Sequence, residues 1–103
     1  MVIYKFDFEH AYDVVAGPTK KEIIDFYLGF TGMGKDDLEC AEITKIPKSK
    51  WNQSVIVDPE NVDYDKPNQN GRDRNGYKIL TTFQDYVNEI KEGDCEIIAT
   101  TAY

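Results

Sequence analysis

The amino-acid sequence predicts an α+β fold: a mostly antiparallel four- to five-stranded sheet with two helices packed on one face. Three observations predict it. Val2, Tyr4, Phe6 and Phe8 alternate with Ile3, Lys5, Asp7 and Glu9, the period-two pattern of a half-buried strand. Two segments, 19–30 and 81–90, carry apolar residues at helical spacing behind capping-box sequences. Short β-branched runs at 40–46, 55–57 and 95–102 read as further strands. Strands and helices that do not strictly alternate belong to the α+β class.

Taken in order, the first strand runs into Ala11–Gly17, a connector whose Tyr12, Val14 and Val15 extend it. Thr19 and Glu22 form a capping box, each side chain placed to satisfy a backbone N–H of the first turn. Ile23, Phe26, Tyr27 and Phe30 then follow at i, i+3, i+4 and i+7, with Ile24 and Leu28 widening the stripe. Gly29, Gly32 and Gly34 stop this helix. They do not form a phosphate loop, because no Gly-Lys-Ser/Thr follows and a helix rather than a strand precedes them. Asp36, Asp37, Glu39 and Glu42 open a short helix or lead directly into the strand that Pro47 ends.

Lys45, Lys48 and Lys50 flank Trp51, the one tryptophan. Basic and aromatic residues together bind single-stranded nucleic acid elsewhere, but the surroundings are acidic, and a turn with Trp51 packed on the core edge is expected. Val55–Val57 is a short strand ended by Asp58-Pro59. The stretch 58–76 holds two Pro, two Gly and four Asn and is almost without apolar residues, so it reads as a long polar loop. Asn75-Gly76 is a tight-turn pair, which lets 74–80 close a hairpin with the Val55 strand. On the last helix Phe83, Tyr86, Val87 and Ile90 make the apolar stripe, Thr81 and Gln84 the capping box, and Gly93 the left-handed C-terminal residue.

Composition narrows the function. With 103 residues the chain is expected to form one domain, 1–103, and 41% hydrophobic residues suit a folded one. No apolar run approaches the roughly 20 residues of a membrane helix. The N-terminus lacks the basic-then-apolar order of a signal peptide, so the cytoplasm is the default location. Nineteen acids against twelve bases give a net charge of −7, which repels nucleic acid and anionic membranes.

Chemistry is poorly signposted. Cys40 and Cys95 lie in predicted strands and read as two buried free thiols in a reducing compartment, with a disulfide between them as the alternative. A zinc set from them needs His10, the one histidine, and a distant carboxylate. Nothing around His10, Ser49 or Ser54 resembles a nucleophile motif, and no register of 58–76 has calcium-loop spacing. No enzyme activity, cofactor or metal is expected.

What remains is the acids. Asp85, Glu89 and Glu92 follow at i, i+4 and i+7, and a four-residue helical step of ~6 Å is close to the spacing of successive phosphates. A rigid row of carboxylates of that kind fits a phosphate-binding groove on another protein. Asp58, Glu60, Asp63, Tyr64 and Asp65, at the acidic start of the loop, join them as candidate partner-binding residues. Tyr12, Tyr77 and Tyr103 are further candidate interface anchors.

The expected function is therefore that of a small acidic binding protein that inhibits a macromolecular partner. Its most concrete form is a phage or mobile-element counter-defence protein, of anti-CRISPR or anti-restriction type, occupying a basic nucleic-acid-binding groove. The expected partner is a nuclease or defence effector with a basic surface; neither direct nucleic-acid nor membrane contact is expected, and the chain acts as monomer or homodimer. Two alternatives fit the same features: an immunity or antitoxin protein neutralising a basic toxin, and a small-molecule-binding domain with its site between sheet and loop.

Overall fold

A computed structural model describes residues 1–100 of the chain. Among them, six strands and three helices form an α+β fold in which every strand pairing is antiparallel. β1 (Val2–Asp7), β2 (Tyr12–Gly17), β3 (Glu42–Lys45) and β6 (Glu96–Thr100) make a four-stranded sheet in the order β3-β1-β2-β6. β4 (Val55–Val62) and β5 (Tyr77–Thr82) make a separate two-stranded ribbon. α1 spans Lys20–Thr31, the single turn α2 Lys35–Leu38, and α3 Phe83–Glu89. The last residues of the expected C-terminal strand, and Tyr103, lie outside the described residues.

Alternation along the strands divides the core in two. On one face Phe6 and Val15 meet Ile23 and Tyr27 of α1 and Leu38 of α2. On the other, Ile3, Val14, Ala16 and Ile98 meet Trp51 and the α3 residues Phe83, Val87 and Ile90. Two helices thus share a face, but they are α1 and α2; α3 packs with the opposite cluster. Each fully buried Phe or Ile contributes about 1.5–3 kcal/mol, so both clusters are needed to hold a chain of this size.

Local chemistry explains most boundaries. The Thr19 hydroxyl accepts from the Glu22 N–H, as its capping-box position predicts, and Gly32 closes α1 in the left-handed conformation. Tyr27 stacks on Phe6 with ring centroids 4.3 Å apart. Phe30, by contrast, is exposed against Phe26, so the helical stripe is buried only on its Ile23–Tyr27 side. Trp51 is buried and donates its indole N–H to the Ile46 carbonyl at 3.1 Å. It is a core residue and offers no stacking platform.

Several expectations are corrected. Ala11–Gly17 does not extend β1 but returns beside it, across a turn in which Phe8 and Ala11 exchange backbone hydrogen bonds. β1 is therefore an inner strand, and His10 sits in an exposed hairpin turn. The α3 cap is Thr82, whose hydroxyl accepts from the Asp85 N–H, one residue later than the Thr81–Gln84 pair. α3 ends at Glu89 because Ile90 turns extended, at ψ 131°, and buries its side chain; Gly93 is left-handed in the following turn instead. Cys40 is exposed in a turn and Cys95 half-buried just before β6; both thiols are free, but neither lies in a strand.

Candidate functional site

The 58–76 stretch is shorter and more tightly held than a loop. Asp58 to Val62 belong to β4, with a register break between Asp58 and Val62 that accommodates Pro59. The remainder is a chain of turns built by carboxylates. The Asp63 side chain accepts from the Asp65 N–H, and that of Asp73 accepts from both Asn75 and Tyr77 N–H at 2.9 Å. Arg72 donates to the carbonyl of Gly76 at 2.9 Å and reaches that of Asn61 at 3.4 Å. Gly76 has φ 89°, and a Cβ there would sit 2.1 Å from the Asp63 carbonyl oxygen, so only glycine fits.

The predicted binding residues fall into separate groups. Asp85 and Glu89 are exposed on α3, whereas Glu92 lies in the turn after its end. The expected helical row therefore stops at Glu89, and Glu92 is not held at helical spacing. Glu60, Tyr64 and Asp65 are exposed at the far end of the ribbon, while Asp58 and Asp63 are half-buried and spend side-chain oxygens on the backbone. Tyr64 stands edge-on to Tyr77, with centroids 6.4 Å apart. The ribbon pairs Val55 with Thr82 at one end and Val62 with Tyr77 at the other. β5 alone spans five residue steps of ~3.4 Å, so roughly 17 Å separates the two acidic groups along it.

Few of these charges are neutralised locally. Among the described residues one ion pair forms, Lys5 with Asp7 at 3.6 Å. Other lysines lie over rings: Lys20 above Tyr4 and Lys48 above Trp51. Burial, then the carboxylate of Glu96, pushes the Tyr86 phenol up from its ordinary value. Burial, then Glu22 and Asp94, raises the Cys95 thiol, which disfavours the nucleophilic thiolate. Among the described residues no group of three His, Cys, Asp or Glu side chains is arranged to hold a metal ion, and no helix is long and apolar enough to cross a membrane.

One concave feature was not legible in the sequence. A cleft of about 810 Å³ opens between the ribbon and the β6 side of the main sheet. Val55, Ile56 and Val57 line one wall and Ile98, Ala99 and Thr100 the other. Tyr12 and Tyr77 contribute rings, and Glu60 and Asp73 its two carboxylates. These residues come from four parts of the chain, and no local pattern relates them. The Asp73-Arg-Asn-Gly run did carry a usable signal, since an Asp two residues before Asn-Gly is an Asx-turn sequence.

Compared with protein-family models, curated proteins and solved structures, the chain matches none.

Proposed function

We propose that this is a small acidic binding protein that acts in the cytoplasm by inhibiting a macromolecular partner with a basic surface. The supporting observation is the uncompensated charge: seven net negative charges, with a single ion pair among the described residues. Exposed carboxylates that spend nothing on partners of their own are available to cations of another surface. In its most concrete form the partner is a nuclease or defence effector, and the protein is a counter-defence factor of anti-CRISPR or anti-restriction type. An immunity or antitoxin protein facing a basic toxin is the same chemistry with a different target. The interrupted α3 row makes this a matter of local unpaired charge more than of phosphate-like spacing.

The test is capture of the partner from host lysate with tagged protein, followed by release with salt or with excess double-stranded DNA. The proposal expects release by both, and loss of capture when Asp85, Glu89 and Glu92 are all changed to Lys. A partner retained at high salt, or captured equally by the triple variant, refutes it. The cleft supports a second reading, a small-molecule site between sheet and ribbon; a ligand screen by thermal shift decides that one.

A further inference from the structure

We propose that Asn70 is a site of self-modification, converted to aspartate and isoaspartate with the Gly71 backbone nitrogen as nucleophile and water as co-reactant, while the fold protects the same dipeptide at Asn75-Gly76. The chain has six asparagines, and these two precede glycine. A glycine has no side chain to obstruct attack by its own backbone nitrogen, which is why such pairs are the labile ones. The Gly71 nitrogen bonds to the Asn70 side-chain carbonyl carbon, closing a five-membered imide. The bond from that carbon to Nδ2 breaks, and the amide leaves as ammonia with the proton lost by the backbone nitrogen. Water then opens the ring. Attack at the side-chain carbonyl gives aspartate, and attack at the main-chain carbonyl gives isoaspartate. No electron is gained or lost. The product adds one negative charge to a chain already at −7.

The two sites differ in what holds the reacting peptide unit. Asn70 and Gly71 are the central residues of a turn closed by the Arg72 N–H on the Gln69 carbonyl at 3.0 Å. Both have positive φ, 51° and 75°, as the central pair of a type I′ turn does. Ring closure requires the peptide unit between them to rotate toward the side chain. Among the described residues, neither the Asn70 carbonyl nor the Gly71 N–H is hydrogen-bonded, so nothing pins that unit. Both residues are exposed, and a Cβ built on Gly71 meets nothing within 4 Å, so there is room for the ring. At the second site Gly76 is buried, and its N–H, the nucleophile there, donates to the Asp73 carbonyl at 3.0 Å. The Gly76 carbonyl accepts from Asp63 and Arg72, and a Cβ would lie 2.1 Å from the Asp63 oxygen. Asn75 reacts only when this cluster opens, whereas Asn70 needs a local rotation of one exposed turn.

The proposal rests on neither the acidic surface nor the inhibitory function, and it stands or falls apart from both. The full chain is incubated in mildly alkaline buffer, folded or in high urea, then digested in acid, where ring closure is slow. Mass spectrometry follows the change from amide to acid at each asparagine and separates aspartate from isoaspartate. In the folded protein Asn70 is expected to react at least about tenfold faster than Asn75, and in urea the two rates converge. Isoaspartate appears at Asn70 together with aspartate, since both arise from one imide. In urea, where the strain of positive φ plays no part, Gly71→Ala slows the loss at Asn70 at least about tenfold and leaves Asn75 unchanged. Equal rates in the folded protein, or an Asn70 that persists while both sites react in urea, overturns the protection argument and the site with it. Aspartate without isoaspartate, or a rate indifferent to Gly71→Ala, overturns the Gly71 nitrogen as nucleophile.

Discussion

Changing Tyr27 to Phe removes one hydroxyl and leaves everything else in place, which makes it a clean test of how α1 is tied to β2. The ring is 1% exposed and stacks on Phe6 at 4.3 Å, and phenylalanine keeps both features. What is lost is the hydrogen bond from the Tyr27 hydroxyl to an Asp13 carboxylate oxygen, 2.5 Å long. A hydrogen bond to a charged group is worth about 1.5–3 kcal/mol. Asp13 keeps the Thr100 hydroxyl as a second donor and is only half-buried, so the lower end applies, about 1.5 kcal/mol. With a urea m value of about 1.5 kcal/mol/M, the unfolding midpoint falls by about 1 M. Trp51, the one tryptophan and buried, reports the transition by fluorescence.

The same variant carries a pH signature. Burial first, then the hydrogen bond and charge of Asp13, raise the Tyr27 pKa well above its ordinary value of 10.0. Above pH 10 the unfolded chain releases this proton while the folded chain retains it. The native state then binds more protons, and stability falls with rising pH, by up to about 1.4 kcal/mol per pH unit from this group. The stabilisation is complete below pH 10 and is lost above it. Tyr27 is the one group that differs between the two proteins, so the wild-type advantage over Tyr27→Phe shrinks between pH 10 and 11. A midpoint change below about 0.3 M at pH 7, or parallel curves above pH 10, refutes the reasoning.

Thr82→Ala removes the α3 cap and is expected to cost about 1 kcal/mol in urea unfolding, while Thr81→Ala changes stability by less than about 0.5. The reverse order would restore the Thr81 capping frame. Gly76→Ala places a Cβ against the Asp63 carbonyl at positive φ and is expected to cost at least about 2 kcal/mol, read as the fall in melting temperature. At pH 8 a chromogenic disulfide reagent is expected to label exposed Cys40 at least about tenfold faster than Cys95, whose thiol is raised by burial; equal rates in the folded protein would contradict that environment.

Where the sequence was readable, local chemistry and tertiary packing agreed. Thr19 and Glu22 mark the start of α1 because the capping bond is made within one turn. Phe83 and Val87 enter the core as their helical spacing implies, while Ile90 enters it from the extended residue after the helix. The β1–β2 hairpin was hidden because Glu9-His10 carries none of the Gly, Asn or Asp-Gly signals of a tight turn. Pro59 read as a strand terminator, yet β4 passes through it: the strand pairs on one side only and breaks register there, so a missing N–H is tolerated. The α3 acids looked like one row because a seven-residue helix and a ten-residue helix have the same pattern until the chain turns. Only the burial of Ile90 decides where that happens.

The separation of the acidic groups has a physical consequence for any basic partner. Roughly 17 Å of ribbon is about twice the ~8 Å screening length at physiological ionic strength. Asp85 and Glu89 at one end, and Glu60 and Asp65 at the other, then act on a partner independently. A groove that touches one end gains nothing from charges at the other once salt is physiological, although both contribute at 0.01 M, where the screening length is ~30 Å. Charge reversal at α3 alone should therefore abolish capture together with its salt dependence if the partner seats on α3, as proposed; capture that keeps a steep salt dependence puts the partner at the other end and refutes the α3 assignment. The slope that survives reversal reports which end is used.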